Sequence, residues 1–164
     1  MNTRKTAYLG LFAALAIIFG YVETLLPVFV GIPGVKLGLA NLSVLFILYR
    51  YSLWEAAAVS FVRILIIGFL FGSLFSIVYS LAGAALSLVV MTLLKKRTDF
   101  SLLGISVAGG VSHNIGQLII AMLIVENTTL IYYAPALLIS GIVTGLLIGM
   151  LTIEVEKRVL KENL

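Results

Sequence analysis

The chain has 164 residues, is 62% hydrophobic and only 11% charged, and carries a formal net charge of +4, with a mean hydropathy of +1.19. No soluble domain of this size needs so much apolar surface, so the composition excludes a soluble enzyme and predicts a single-domain integral membrane protein. The absence of cysteine excludes disulfides, thiolate metal sites and cysteine catalysis, and basic residues that flank apolar runs read as a topology signal at lipid headgroups, with no nucleic-acid partner.

Met1 to Thr6 is polar and carries Arg4 and Lys5. An apolar run over 7–26 follows. Its length and the spans after it predict a retained first helix rather than a cleaved secretory signal. Gly10-x-x-x-Ala14 and Ala16-x-x-x-Gly20 permit close helix approach, which serves either internal packing or a docking face for a second membrane subunit. Glu23 sits near the far end of this helix. Residues 27–36 read as a loop with a Pro33-Gly34 turn. They are unusually apolar for a solvent loop, which suggests a lid over the bundle, ending at Lys36.

The second predicted span, 37–50, is short, contains Asn41 and closes on Arg50. The third, 53–72, carries Arg63 near its middle. The fourth, 73–94, follows a tight turn, has Ser76, Ser80 and Ala84 in a row, and ends at Lys95-Lys96-Arg97. The fifth, 102–125, holds the chain's single histidine. Helical spacing puts Ser106, Gly109 or Gly110, His113 and Gln117 on one face, with Asn114 beside it. Lipid does not solvate such groups, so this face should point into the bundle or a wet cavity. After a turn at Glu126 to Thr129, the sixth span, 131–153, contains Gly141-x-x-x-Gly145-x-x-x-Gly149, a strong close-packing signature. The tail, 154–164, reads as a charged helix with a Glu154–Arg158 i,i+4 pair.

The predicted fold class is therefore an all-α integral membrane protein, a bundle of about six transmembrane helices; the apolar runs are too long and unalternated for a barrel. Arg4, Lys5, Arg50, Lys95, Lys96, Arg97, Lys157, Arg158 and Lys161 fall on one side, and Lys36 alone on the other. The positive-inside rule places both termini in the cytoplasm. Glu23, Asn41, Arg63, His113, Asn114 and Gln117 then gather in the outer half or midplane, with Lys36 at their rim. This asymmetry predicts an outward-opening binding cavity. For Arg63 two readings stand: a structural ion pair with Glu23, or a ligand for carboxylate or phosphate. For His113 they are a satisfied core histidine and a binding group.

The missing motifs narrow the chemistry. One histidine without cysteine makes a poor metal site. There is no phosphate-cradling Gly-Lys-Ser/Thr loop, and Asp99, the single aspartate, cannot supply the paired Asp-rich motifs of a prenyl synthase. Neither a hydrolase triad nor bis-histidine haem ligation is possible. No catalysis, metal or cofactor is expected of this chain alone.

Gly34-Val-Lys-Leu-Gly-Leu-Ala-Asn-Leu42, Arg63 and Ser112-His-Asn-Ile-Gly-Gln-Leu118 together resemble a bacterial membrane family, heptaprenyl diphosphate synthase component I, also called the Gx transporter family. The resemblance covers nearly the whole chain. That family is grouped with the substrate-binding S-components of energy-coupling factor transporters, six-helix proteins of the plasma membrane. They bind a vitamin from outside beneath the first loop and dock onto a membrane coupling subunit with two ATPases. Gly10-x-x-x-Ala14 resembles their docking feature, departing from the usual Ala-x-x-x-Ala. The resemblance implies a component for uptake of a small, anionic or amphipathic molecule. Lys36 and Arg63 would neutralise charge, and Asn41, His113, Asn114 and Gln117 would hydrogen-bond. Two alternatives stay open: a non-catalytic accessory subunit of heptaprenyl diphosphate synthase, and a membrane subunit of a flavin-linked electron-transfer complex.

Overall fold

The computed structural model describes residues 3–25, 38–97 and 99–161. The expected lid over 27–36, Lys36 included, lies outside the described residues. The elements are α1 (Thr3–Leu25), α2 (Leu39–Arg50), α3 (Leu53–Phe71), α4 (Leu74–Arg97), α5 (Leu102–Val125), a 3-10 turn (Thr128–Tyr133) and α6 (Ala134–Lys161). Among the described residues there is no strand. Five helical segments among the described residues are long and apolar enough to cross a membrane, so this is a multi-pass helical bundle.

α2 departs from the expected pattern of full spans. It has only 12 residues, too few to cross about 30 Å of hydrocarbon. Ser43 to Leu48 are buried without a break, as befits a helix that is apolar all round and enclosed by others. Its ends are capped from neighbouring helices. The Leu39 N–H donates to Glu23 Oε1 of α1 at 2.6 Å. At the other end Lys95 Nζ of α4 donates to the carbonyls of Leu48 at 2.8 Å and Tyr49 at 3.0 Å. Both charges have the sign that the helix dipole favours, and both satisfy backbone groups that a helix end leaves over.

The fourth helix runs on to Arg97 rather than stopping at 94. The sixth begins as the 3-10 turn and then continues unbroken to Lys161, so the charged tail is an extension of α6. Arg158 Nε and Glu154 Oε1 pair on it at 3.0 Å. Pro135 sits in the first turn of α6, where a missing N–H costs nothing. Ser73 and Ser76 bond each other's backbone N–H at 2.9 and 3.2 Å and so start α4 after a two-residue gap from the end of α3.

α5 is the centre of one half of the bundle, packed extensively on α4 and α6, while α1, α2 and α3 pack on one another. The α5–α6 contact is backbone on backbone. A Cβ added at Gly110 would lie 2.4 Å from the Gly141 carbonyl oxygen, and one at Gly145 would lie 2.7 Å from Val107 Cα. Gly149 abuts the side chains of Leu103 and Ser106. The Gly141, Gly145 and Gly149 row therefore packs helices, as its spacing predicts. The Ser106 hydroxyl closes the seam by donating to the Gly145 carbonyl at 2.7 Å.

The main apolar core, which includes Phe12, Val44 to Leu48, Ala56, Val59, Leu88, Met91, Ile105 and Ile148, fills the half of the bundle nearest the basic helix ends. Phe12 and Phe46 stack in it with ring centroids 4.4 Å apart. Lys5 pairs with Glu55 at that end. The opposite half is not filled, and the polar residues converge there.

Candidate functional site

A cavity of about 280 Å³ lies where α1 ends, α2 begins and α3 meets α4. Glu23, Asn41, Arg63, His113, Asn114 and Gln117 all line it. Residues from four helices that spacing alone places at similar depths are thus brought to one space.

Arg63 leaves α3 beside the buried Ile64 and reaches across to α2. Its Nη2 donates to Asn41 Oδ1 at 2.6 Å. The guanidinium's hydrogen bond therefore goes to a neutral amide rather than to the Glu23 carboxylate. Glu23 still acts on Arg63 through space, while its Oε1 caps α2. Arg63 Nε is buried and, among the described residues, has no acceptor. A buried donor left unpaired costs about 1–3 kcal/mol, so the guanidinium keeps unused capacity for an acceptor.

His113 and Gln117 lie one turn apart on α5. They fit because α4 has a glycine opposite them: a Cβ on Gly83 would lie 2.8 Å from the His113 carbonyl oxygen and 2.9 Å from Gln117 Cγ. Asn114 differs from the other lining residues. It is 9% exposed, and its Nδ2 donates to the Leu137 carbonyl at 2.7 Å. That amide ties α5 to α6 and has less left to offer a ligand than Gln117.

A smaller chamber of about 40 Å³ adjoins the cavity at His113, lined by Ser60, Ser87, Ser106 and Thr144 among others. Asn41, His113 and Thr144 line both spaces. The chamber has room and polar partners for a water molecule. Ser87 Oγ donates to the Gly109 carbonyl at 2.9 Å, and Ser60 Oγ is buried without a partner.

Thr24, Ser76, Ser80 and Thr144 also line the main cavity. Ser76 and Ser80 read in the sequence as a small-residue row, yet an i,i+4 pair of hydroxyls on an apolar helix is equally a polar face. Thr144 was hidden among the glycines of α6. The Gly10–Ala14 pair is elsewhere: both are exposed on α1, and a Cβ at Gly10 would meet nothing within 4 Å. Among the described residues no three His, Asp or Glu side chains come together as a metal site. Among the described residues, the charged groups of the cavity wall are one base and one acid, Arg63 and Glu23.

Residues 12–155 match the family described as heptaprenyl diphosphate synthase component I. No curated protein matches the chain, and no solved structure does.

Proposed function

The chain belongs to the heptaprenyl diphosphate synthase component I family, and from that premise and its cavity we propose a non-catalytic membrane component that binds a small anionic or amphipathic molecule for uptake. One observation carries this reading: a half-buried arginine with a buried, unused Nε–H stands in a cavity of about 280 Å³ with Asn41, His113 and Gln117. A purely structural cluster in a membrane is compact, dry and internally paired, because unfilled polar space is expensive there. Arg63 supplies charge, Asn41 orients it, and His113, Gln117 and Thr144 offer hydrogen bonds. Lys36 would add a second positive charge from the loop. The bacterial plasma membrane, with both termini cytoplasmic and the cavity facing outward, is the setting this reading requires.

Uptake needs an energy source that this chain does not contain. The exposed Gly10–Ala14 face of α1 is the proposed contact for a membrane coupling subunit carrying ATPases. The family match favours a second reading, a non-catalytic accessory subunit of the synthase whose name the family carries. Co-purification separates the two. ATPase subunits would support uptake, and a soluble Asp-rich synthase the accessory role.

The direct test is the molecule retained after mild detergent purification, identified by native mass spectrometry. The expected result is an anionic species present on the wild type and lost from Arg63→Gln at unchanged melting temperature. Wild-type protein that carries nothing and is not stabilised by any anion would remove the binding reading.

A further inference from the structure

A second space lies against the cavity. Between α3 and α4 on the outer surface of the bundle runs a groove of about 410 Å³, lined almost wholly by apolar atoms. Its depth comes from short side chains, Ala57 and Ala58 on α3 facing Ala84 and Ala85 on α4. It extends from Ile64 to Trp54, about 15 Å of helix at about 1.5 Å per residue, and Trp54 stands 81% exposed at its end.

Ile64 lines both this groove and the polar cavity. With Ile77 and Ala84 it forms a small apolar cluster separate from the main core. Of this cluster, Ile64 faces both spaces and Ala84 the groove. Ile77 leans over Gly68, where an added Cβ would lie 2.1 Å from Ile77 Cγ1. The wall that the cavity and the groove share is thus the Ile64 side chain, packed on an Ile77 that a glycine admits. On its polar side stands Arg63, the next residue along α3, whose buried Nε has no acceptor among the described residues.

We infer that the ligand is a single-chain amphiphile whose anionic head rests on Arg63 and whose hydrocarbon chain passes Ile64 into the α3–α4 groove. The inference deepens the binding reading above and rests on it. A compact soluble anion would fill the polar cavity and leave the groove unused. A bilayer acyl chain would fill the groove and leave Arg63 Nε unpaired. A molecule with both parts satisfies both spaces, and burying its chain against apolar walls adds favourable dispersion contacts along the groove.

The test uses the full chain in nanodiscs of neutral lipid and two probes that share a head, inorganic phosphate and dodecyl phosphate. Dodecyl phosphate should bind at least tenfold more tightly than phosphate, and Arg63→Gln should abolish binding of both. Ala85→Phe fills the groove from its exposed side and should remove the advantage of the chain while phosphate still binds. Equal affinities for the two probes, or an advantage that survives Ala85→Phe, would overturn the inference and leave anion binding intact. Dodecyl phosphate signal that persists in Arg63→Gln is partition into the bilayer and also overturns it. If neither probe binds the wild type, the anion-binding reading itself fails, and this inference falls with it.

Discussion

Arg63 Nη2 donates to Asn41 Oδ1 at 2.6 Å, and this single bond joins α3 to α2 at the wall of the cavity. It holds the guanidinium in place without neutralising it. Asn41→Asp should therefore separate stability from binding. A carboxylate there pairs with Arg63 and keeps the fold at least as stable, but it cancels the charge that an anion needs. Anion affinity should fall at least tenfold, about 1.4 kcal/mol, with no loss in melting temperature. Asn41→Ala removes a hydrogen bond to a charged group, worth about 1.5–3 kcal/mol, and should lower both. Paired thermal melts and ligand titrations check this; an Asn41→Asp protein that binds anions normally would take Arg63 out of the site.

Glu23 has two effects of opposite sign. It caps α2 through the Leu39 N–H at 2.6 Å, and it places a negative charge in the wall of a cavity proposed to hold an anion. Glu23→Gln keeps an acceptor for that N–H but loses the charge–dipole part, about 0.3–1 kcal/mol, together with its through-space attraction for Arg63. Glu23→Ala leaves the N–H without this acceptor, a cost of about 1–3 kcal/mol. Both variants should bind anions more tightly than wild type. Stability should order wild type, Glu23→Gln, Glu23→Ala. Weaker anion binding in Glu23→Gln would mean that the carboxylate contacts a cationic part of the ligand.

The basic helix ends and the cavity lie at opposite ends of the bundle, so orientation decides which compartment the cavity meets. The orientation proposed from the positive-inside rule has the cavity facing outward. The chain has no cysteine, so single cysteines report cleanly. Asn127→Cys, in the exposed turn before α6, should react with an impermeant maleimide in intact cells. Asp99→Cys, between α4 and α5, should react only after lysis. The reverse pattern would make the cavity cytoplasmic and remove uptake as its purpose.

The bundle was legible from hydropathy because each long helix carries its own apolar run. α2 is legible in the sequence as a short segment but not as an enclosed one: its composition matches a lipid-facing helix, and only the three-dimensional surroundings distinguish them. The cavity was legible because Glu23, Asn41, Arg63, His113 and Gln117 are costly in lipid and gain by meeting. What spacing could not reveal is how each polar group is used. Arg63 and Glu23 read as natural partners by charge, yet backbone geometry at Leu39 claims Glu23, and Asn41 takes the guanidinium. Asn114 looked equal to Gln117, but the α6 carbonyl it meets comes from a distant part of the chain. Gly83, whose missing side chain admits His113 and Gln117, gave no signal separate from other membrane glycines.

Glycines on α1 and α5 should respond in opposite ways to the same change. In a helix interior, Gly→Ala gains about 1 kcal/mol from propensity alone. At Gly10 nothing within 4 Å opposes a Cβ, so Gly10→Ala should be neutral or slightly stabilising. At Gly110 the new carbon would lie 2.4 Å from the Gly141 carbonyl oxygen, a backbone atom that cannot rotate away. Overpacking of this kind costs about 1–3 kcal/mol and should outweigh the propensity gain, so Gly110→Ala should melt at lower temperature. The larger Gly10→Leu then probes the outer face. If that face meets a coupling subunit, Gly10→Leu should keep its melting temperature and its ligand yet fail to pull down the partner. Normal recovery of partner subunits with Gly10→Leu and with Ala14→Leu would show that docking, if it occurs, uses another surface.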